Sequence, residues 1–211
     1  MDAEHSIPNP YCRGMQEHPS AASERAKLQG ASGLAESLDP LSLHLSLGLA
    51  YTVGSAIGSR PPSTEACLTA FLVPNSVGLT AGSKAWSKHA HRSLPPQIAP
   101  DSNDTASPSK SKSSSINQGW WGTPSGSVAV INERALALFW KVMNAATWRN
   151  LHWLPHQILV YEVRIAEGYG MRWSQDRSGA QNDREHSGSE WVFRGFVEPM
   201  MENGHEVGWR H

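Results

Sequence analysis

Tryptophan is distributed very unevenly along this chain, and that distribution limits what the chain can fold into more than any other feature. Of nine tryptophans, only Trp86 precedes residue 117; Trp120, Trp121, Trp140, Trp148, Trp153, Trp173, Trp191 and Trp209 all follow it. Burying one large apolar side chain contributes about 1.5–3 kcal/mol, which is what a fold sets against the entropy of ordering the chain. Residues 1–116 are rich in Ser, Pro, Gly and Ala and offer few such groups. The expectation is a mostly disordered N-terminal half, residues 1–116, followed by a small α+β module over residues 117–211. Residues 95–115, which end in Ser113, Ser114 and Ser115, read as the linker between them.

Within the second half the hydrophobic periods assign the elements. Asn132 is a plausible N-cap with Glu133 in the first turn, and the pattern predicts a helix through about Thr147 with Leu136, Leu138, Phe139, Trp140, Val142, Met143 and Ala146 left for burial. Pro155 breaks the chain. Ile158 to Ala166 then alternates, with Leu159, Tyr161, Val163 and Ile165 on one face and Glu162 and Arg164 on the other, as a strand requires. The segment Glu167 to Gly170 is a turn from which Met171 to Ser174 returns antiparallel. After a polar loop, Glu190 to Val197 makes a third strand that Pro199 ends. The predicted fold is one amphipathic helix packed on a small antiparallel three-stranded meander. The terminal segment is expected to fold back over the meander's open face through Trp209.

Charge and cysteine usage narrow the possible partners. Lys and Arg total 18 against 19 Asp and Glu, and the balance is even in both halves, so the sequence lacks the basic excess of a nucleic-acid binder. Its one concentrated basic element, Lys110 and Lys112 beside Ser107-Pro108, reads as a solvated linker. Cys12 and Cys67 cannot build a disulfide framework and have no zinc spacing. The start has no basic region leading into an apolar run, so a reducing compartment, cytosol or nucleus, is expected. Leu41 to Gly58 lacks Asp, Glu, Lys and Arg, but serines, glycines, Thr52 and His44 interrupt it, which disfavours a membrane span.

Two motifs stand out. Leu41, Leu43, Leu45, Leu47 and Leu49 alternate with small or polar residues, so an extended chain would carry all of them on one face. The ladder resembles the amphiphilic repression motif of plant transcriptional regulators, which implies docking of alternate leucines in a partner's groove. An ordinary amphipathic strand is the plainer reading. The turn from Gly168 to Trp173, the strand from Phe193 to Pro199 and the terminus from Glu202 to His211 together resemble a family of uncharacterised plant proteins that share a GYG-x-RW turn, an FxGFxEP strand and a GHxxxWxH terminus. That resemblance covers about residues 158–211 and implies a shared fold and a plant origin rather than a reaction.

The same segment holds the candidate chemistry. Glu198, Glu202 and His205, with Arg172 or Arg194 as an anion clamp, could form an acid–base constellation. Strand-face ladders of Arg and Glu arise equally for structural reasons. Tyr169, Trp173 and Trp209 are candidates for stacking a planar ligand, and also for the core. Glu202 and His205 fall short of a carboxylate-bridged metal site; His205 and His211 with Glu198 could make a mononuclear one, but a tail histidine hydrogen-bonded to backbone or a carboxylate is the plainer reading, so no metal is expected. Neither a nucleophile elbow nor a phosphate loop nor a dinucleotide fingerprint occurs, so no cofactor is expected either. The leading reading is a non-enzymatic binding or regulatory module that engages a protein through the leucine ladder or the C-terminal sheet, or binds a small ligand. The alternative is a small hydrolase-like enzyme using the Glu/His/Arg cluster.

Overall fold

The computed structural model of the chain describes residues 9–30, 39–90, 119–179 and 189–200. The fold is α+β. Five helices, α1 (Ala21–Gly30), α2 (Pro40–Ser46), α3 (Thr64–Leu72), α4 (Ala81–His89) and α5 (Val128–Asn144), precede a sheet of β1 (Ala146–Leu154), β2 (Ile158–Ile165), β3 (Gly170–Asp176) and β4 (Val192–Val197). The four strands form an antiparallel meander in chain order.

The expectation of one helix, three strands and a largely disordered N-terminal half is corrected at several points. Among the described residues, four helices lie before residue 117, and each of α2, α3 and α4 starts at a side-chain cap. Asp39 accepts from the backbone N–H groups of Leu41 and Ser42, Ser63 from that of Ala66, and Thr80 from that of Ser83. Such caps satisfy the amides a helix start leaves unpaired. These helices need few tryptophans because they complete a core already rich in them. Cys67, Ala70 and Phe71 of α3 and Trp86 of α4 pack in one cluster with Phe139 of α5 and Trp173 of β3. The Trp173 indole donates to the carbonyl of Cys67 at 3.0 Å, and the Trp86 indole to that of Trp121 at 3.0 Å. The core thus draws on both sides of residue 117. The expected linker at 95–115 lies outside the described residues.

Helix α5 begins four residues before the expected cap, with Ser127 in that role. Asn132 is used differently: its side chain accepts from Thr80 N and donates to the Gly78 carbonyl, clamping α5 to the start of α4. The missed strand, β1, follows α5 almost without a loop. Arg149, Asn150 and His152 hide its alternation, and it is covered on its outer side by chain from the N-terminal half, where Ala50 N–H and Ala56 N–H donate to the carbonyls of Arg149 and Leu151.

The leucine ladder is helical rather than extended through Ser46. Leu45 and Leu49 are fully buried, while Leu41, Leu43 and Leu47 are half-buried. Asp39 and Pro40 start a helix, and Gly48, at φ +69°, ends it. The alternation therefore does not sort the leucines onto one face.

In β4 the register slips between Arg172 and Trp173 of β3: Phe193 faces Trp173 and Gly195 faces Arg172, which leaves Arg194 as an extra, unpaired residue. The bulge puts Phe193 and Phe196 into the same core despite their odd spacing. Gly195, at φ +136°, supplies the backbone conformation that the bulge needs.

Candidate functional site

Beside the β4 edge, α4 and the sheet enclose a cleft of about 660 Å³. Its polar lining comes from three elements and the chain just after them: Lys84, Lys88 and His89 of α4, Arg172 of β3, Arg194 of β4, and Glu198. Lys84 and Lys88 stand one turn apart on the same helix face, since residues at i and i+4 are neighbours. The bulge frees Arg194 from the ladder and turns it to the cleft. Among the described residues no carboxylate lies within ion-pair distance of Lys84, Lys88 or Arg194.

At the inner end, His89 Nε2 lies 2.7 Å from Glu198 Oε1, and both side chains are only 10% exposed. The ring N–H is out of line with the oxygen, so this is a close ion-pair contact when His89 is protonated rather than an aligned hydrogen bond. The same oxygen accepts a hydrogen bond from the Trp121 indole at 2.8 Å. Edge-on packing against Trp121 and a tilted contact with Phe196 hold the imidazole from its sides.

Beneath the cleft is a charged network on the sheet's outer face. The Glu162 carboxylate accepts from Nε of Arg164 at 2.5 Å and from Nε of Arg172. Burial alone would push this carboxyl up, but the two arginines and their hydrogen bonds hold it below the usual glutamate value. Arg164 Nη1 donates to the carbonyls of Gly168, at 2.6 Å, and Glu198, at 2.8 Å. A cation at the sheet's centre thus ties down the backbone of the residue that carries the cleft's carboxylate.

Of the candidates named from sequence, Arg172, Arg194 and Glu198 meet in this cleft. Glu202, His205 and Trp209 lie outside the described residues. Tyr169 is half-buried and stacks on Trp120 with centroids 4.6 Å apart. Trp173 is fully buried in the core, which corrects its reading as a stacking platform: its ring meets Phe139, Tyr161 and Phe193 rather than a cavity. No group of three or more His, Cys, Asp or Glu able to hold a metal occurs among the described residues, and no helix among them is long and apolar enough to cross a membrane.

Sequence reasoning missed His89, Lys84 and Lys88 because they belong to the half read as disordered. The available signal was Thr80 as a cap, followed by Lys84 and Lys88 at helical spacing and a histidine next to the second lysine.

Residues 95–180 match the family model of a CdiA C-terminal tRNase toxin domain. The matched stretch carries Glu162, Arg164 and Arg172, while His89, Arg194 and Glu198 flank it. No curated protein and no solved structure matches the chain. The match overturns the expectation of a non-enzymatic binding module, because a tRNase is an enzyme; it favours the hydrolase-like alternative.

Proposed function

We propose that this chain is a nuclease-type toxin that cleaves an RNA backbone at the His89–Glu198 pair. The observation that carries the reading is the pair itself: a histidine and a carboxylate 2.7 Å apart in a cleft whose other charged residues, Lys84, Lys88, Arg172 and Arg194, are all cations. Phosphodiester cleavage needs a group that takes the nucleophile's proton, one that protonates the leaving oxygen, and positive charge on the phosphoryl oxygens. In RNA the 2′-hydroxyl is the nucleophile. Glu198, held by Trp121, takes the 2′-hydroxyl proton as the 2′-oxygen bonds to phosphorus. Protonated His89 gives a proton to the 5′-oxygen as that oxygen leaves. The products are a 2′,3′-cyclic phosphate and a 5′-hydroxyl.

Similarity of residues 95–180 to a tRNase toxin domain supports RNA as the polymer. The cleft's cations stand at 84, 88, 172 and 194 on three elements, so no basic run announces them in a chain with 18 basic and 19 acidic residues. This reading replaces the sequence-based exclusion of nucleic acid. Purified protein should cut tRNA or single-stranded RNA and leave DNA of the same sequence intact, with cyclic phosphate found by end-group analysis. His89→Gln and Glu198→Gln should each lower kcat by about 10²–10⁴-fold at a near-native melting temperature. Cleavage at the wild-type rate by both variants would exclude this pair as the reacting site.

A further inference from the structure

Glu162 is 2% exposed, yet it holds two arginines, of which Arg172 lines the cleft and Arg164 reaches the backbone of Glu198. Arg172 spends Nε on Glu162, and its side chain remains one-third exposed where it lines the cleft. Nη1 and Nη2 of Arg172 make no hydrogen bond to any described residue. A guanidinium gripped at Nε has its plane set, and its two terminal nitrogens then form a fork that matches two oxygens of a phosphate. Arg164, gripped by the other carboxylate oxygen, donates to the Glu198 carbonyl. One buried anion therefore organises both the cation on the cleft's floor and the backbone under its carboxylate.

We propose that Glu162 is a positioning residue for the cleft: it aims the terminal nitrogens of Arg172 at a substrate phosphate and, through Arg164, fixes where Glu198 stands. The proposal rests on the nuclease reading for its substrate, while the fork itself suits an anion that presents two oxygens, inorganic phosphate included. A purely structural ion pair has no need to leave the fork of Arg172 without a partner among the described residues, and ion pairs buried for stability alone are often no better than apolar residues of the same volume. A polar network that points at a reacting group has to be held in place by residues behind it.

The test is a double-mutant cycle in the full chain with Glu162→Gln, Arg172→Lys and the double variant, and with Glu162→Asp as a second probe that keeps the charge but shortens its reach. Two readouts are used: kcat and KM on RNA, and binding of inorganic phosphate by calorimetry, which requires no turnover. If Glu162 acts through Arg172, each single variant weakens phosphate binding about tenfold and the double variant is no weaker than Arg172→Lys alone. Glu162→Asp should fall between wild type and Glu162→Gln. Multiplying losses would overturn the proposal, as would unchanged phosphate binding in a folded Glu162→Gln or Glu162→Asp variant. Absence of RNA cleavage by the wild type counts against the nuclease reading alone, because the phosphate cycle still decides the role of Glu162.

Discussion

At the scale of single residues, two glycines and one histidine carry more of this structure than their size suggests. A Cβ on Gly170 would stand 2.2 Å from the carbonyl oxygen of Val163 and 3.0 Å from Cα of Arg164, so the clash is with the backbone of β2. At Gly82 the added carbon would meet the Phe71 ring at 2.0 Å, and that ring is locked among Phe139, Phe193 and Phe196. Gly170→Ala and Gly82→Ala should each destabilise the fold by at least about 1–3 kcal/mol, measured by denaturant titration, because overpacking a filled core forces backbone or rotamer shifts. His44 is fully buried, with Nε2 on the Ala50 carbonyl at 3.0 Å. Burial holds its imidazole below the ordinary value of 6.5, and the same cause lowers His152. The unfolded chain takes up protons below about pH 6.5 that the folded chain refuses, so stability is complete above that pH and falls as the pH drops toward the depressed folded values. Thermal melts between pH 7 and pH 5 should show this loss, and His44→Gln should make the slope shallower. An unchanged slope would assign the acid sensitivity to other groups.

At the scale of elements, α2 and β4 show how a pattern can be present and its geometry still be decided elsewhere. The leucine ladder satisfies period two through Leu49, yet Asp39 and Pro40 begin a helix that the ladder cannot resist. Burial then falls on Leu45 and Leu49. Leu45→Ala and Leu49→Ala should each cost about 2–5 kcal/mol by chemical denaturation, whereas Leu41→Ala, at a half-buried position, should cost clearly less. Equal losses at all three sites would contradict this packing. Asp39→Ala should cost about 0.5–2 kcal/mol through the lost cap. In β4 the alternation of Phe193 and Phe196 is broken by one residue, and the bulge that restores it is what frees Arg194 from the ladder. The strand itself was legible from its aromatic and β-branched residues; the bulge was not, because it depends on which β3 residue each β4 residue meets.

At the scale of the whole molecule, the meander is closed on its inner face by α3, α4 and α5 and on its outer face by the N-terminal chain. Tyr11 N–H and Arg13 N–H donate to the carbonyls of Thr147 and Ala166, and Cys12 and Ala50 pack against Trp148. Arg25 grips Glu17 through both terminal nitrogens, which ties α1 to the same side. A fragment of residues 117–211 would expose the partners of Phe71 and Trp86, so it should show no cooperative melt alone and should regain one only when residues 9–90 are supplied. A cooperative melt of the fragment by itself would show that the meander is independently stable.

The sequence by itself determined the α+β class and the second and third strands with the turn between them, and it named Arg172, Arg194 and Glu198, which the structure brings to one cleft. These follow from local properties: alternation, turn glycines, and charges placed on strands. Only the tertiary structure decided that residues of α3 and α4 belong to the core, that Trp173 lies within it, and that His89 stands against Glu198. Each of these depends on contacts between residues far apart in the chain, 106 positions in the case of Trp173 and Cys67. A helix with few large side chains can be stable when its partner supplies them, and local composition does not record the partner.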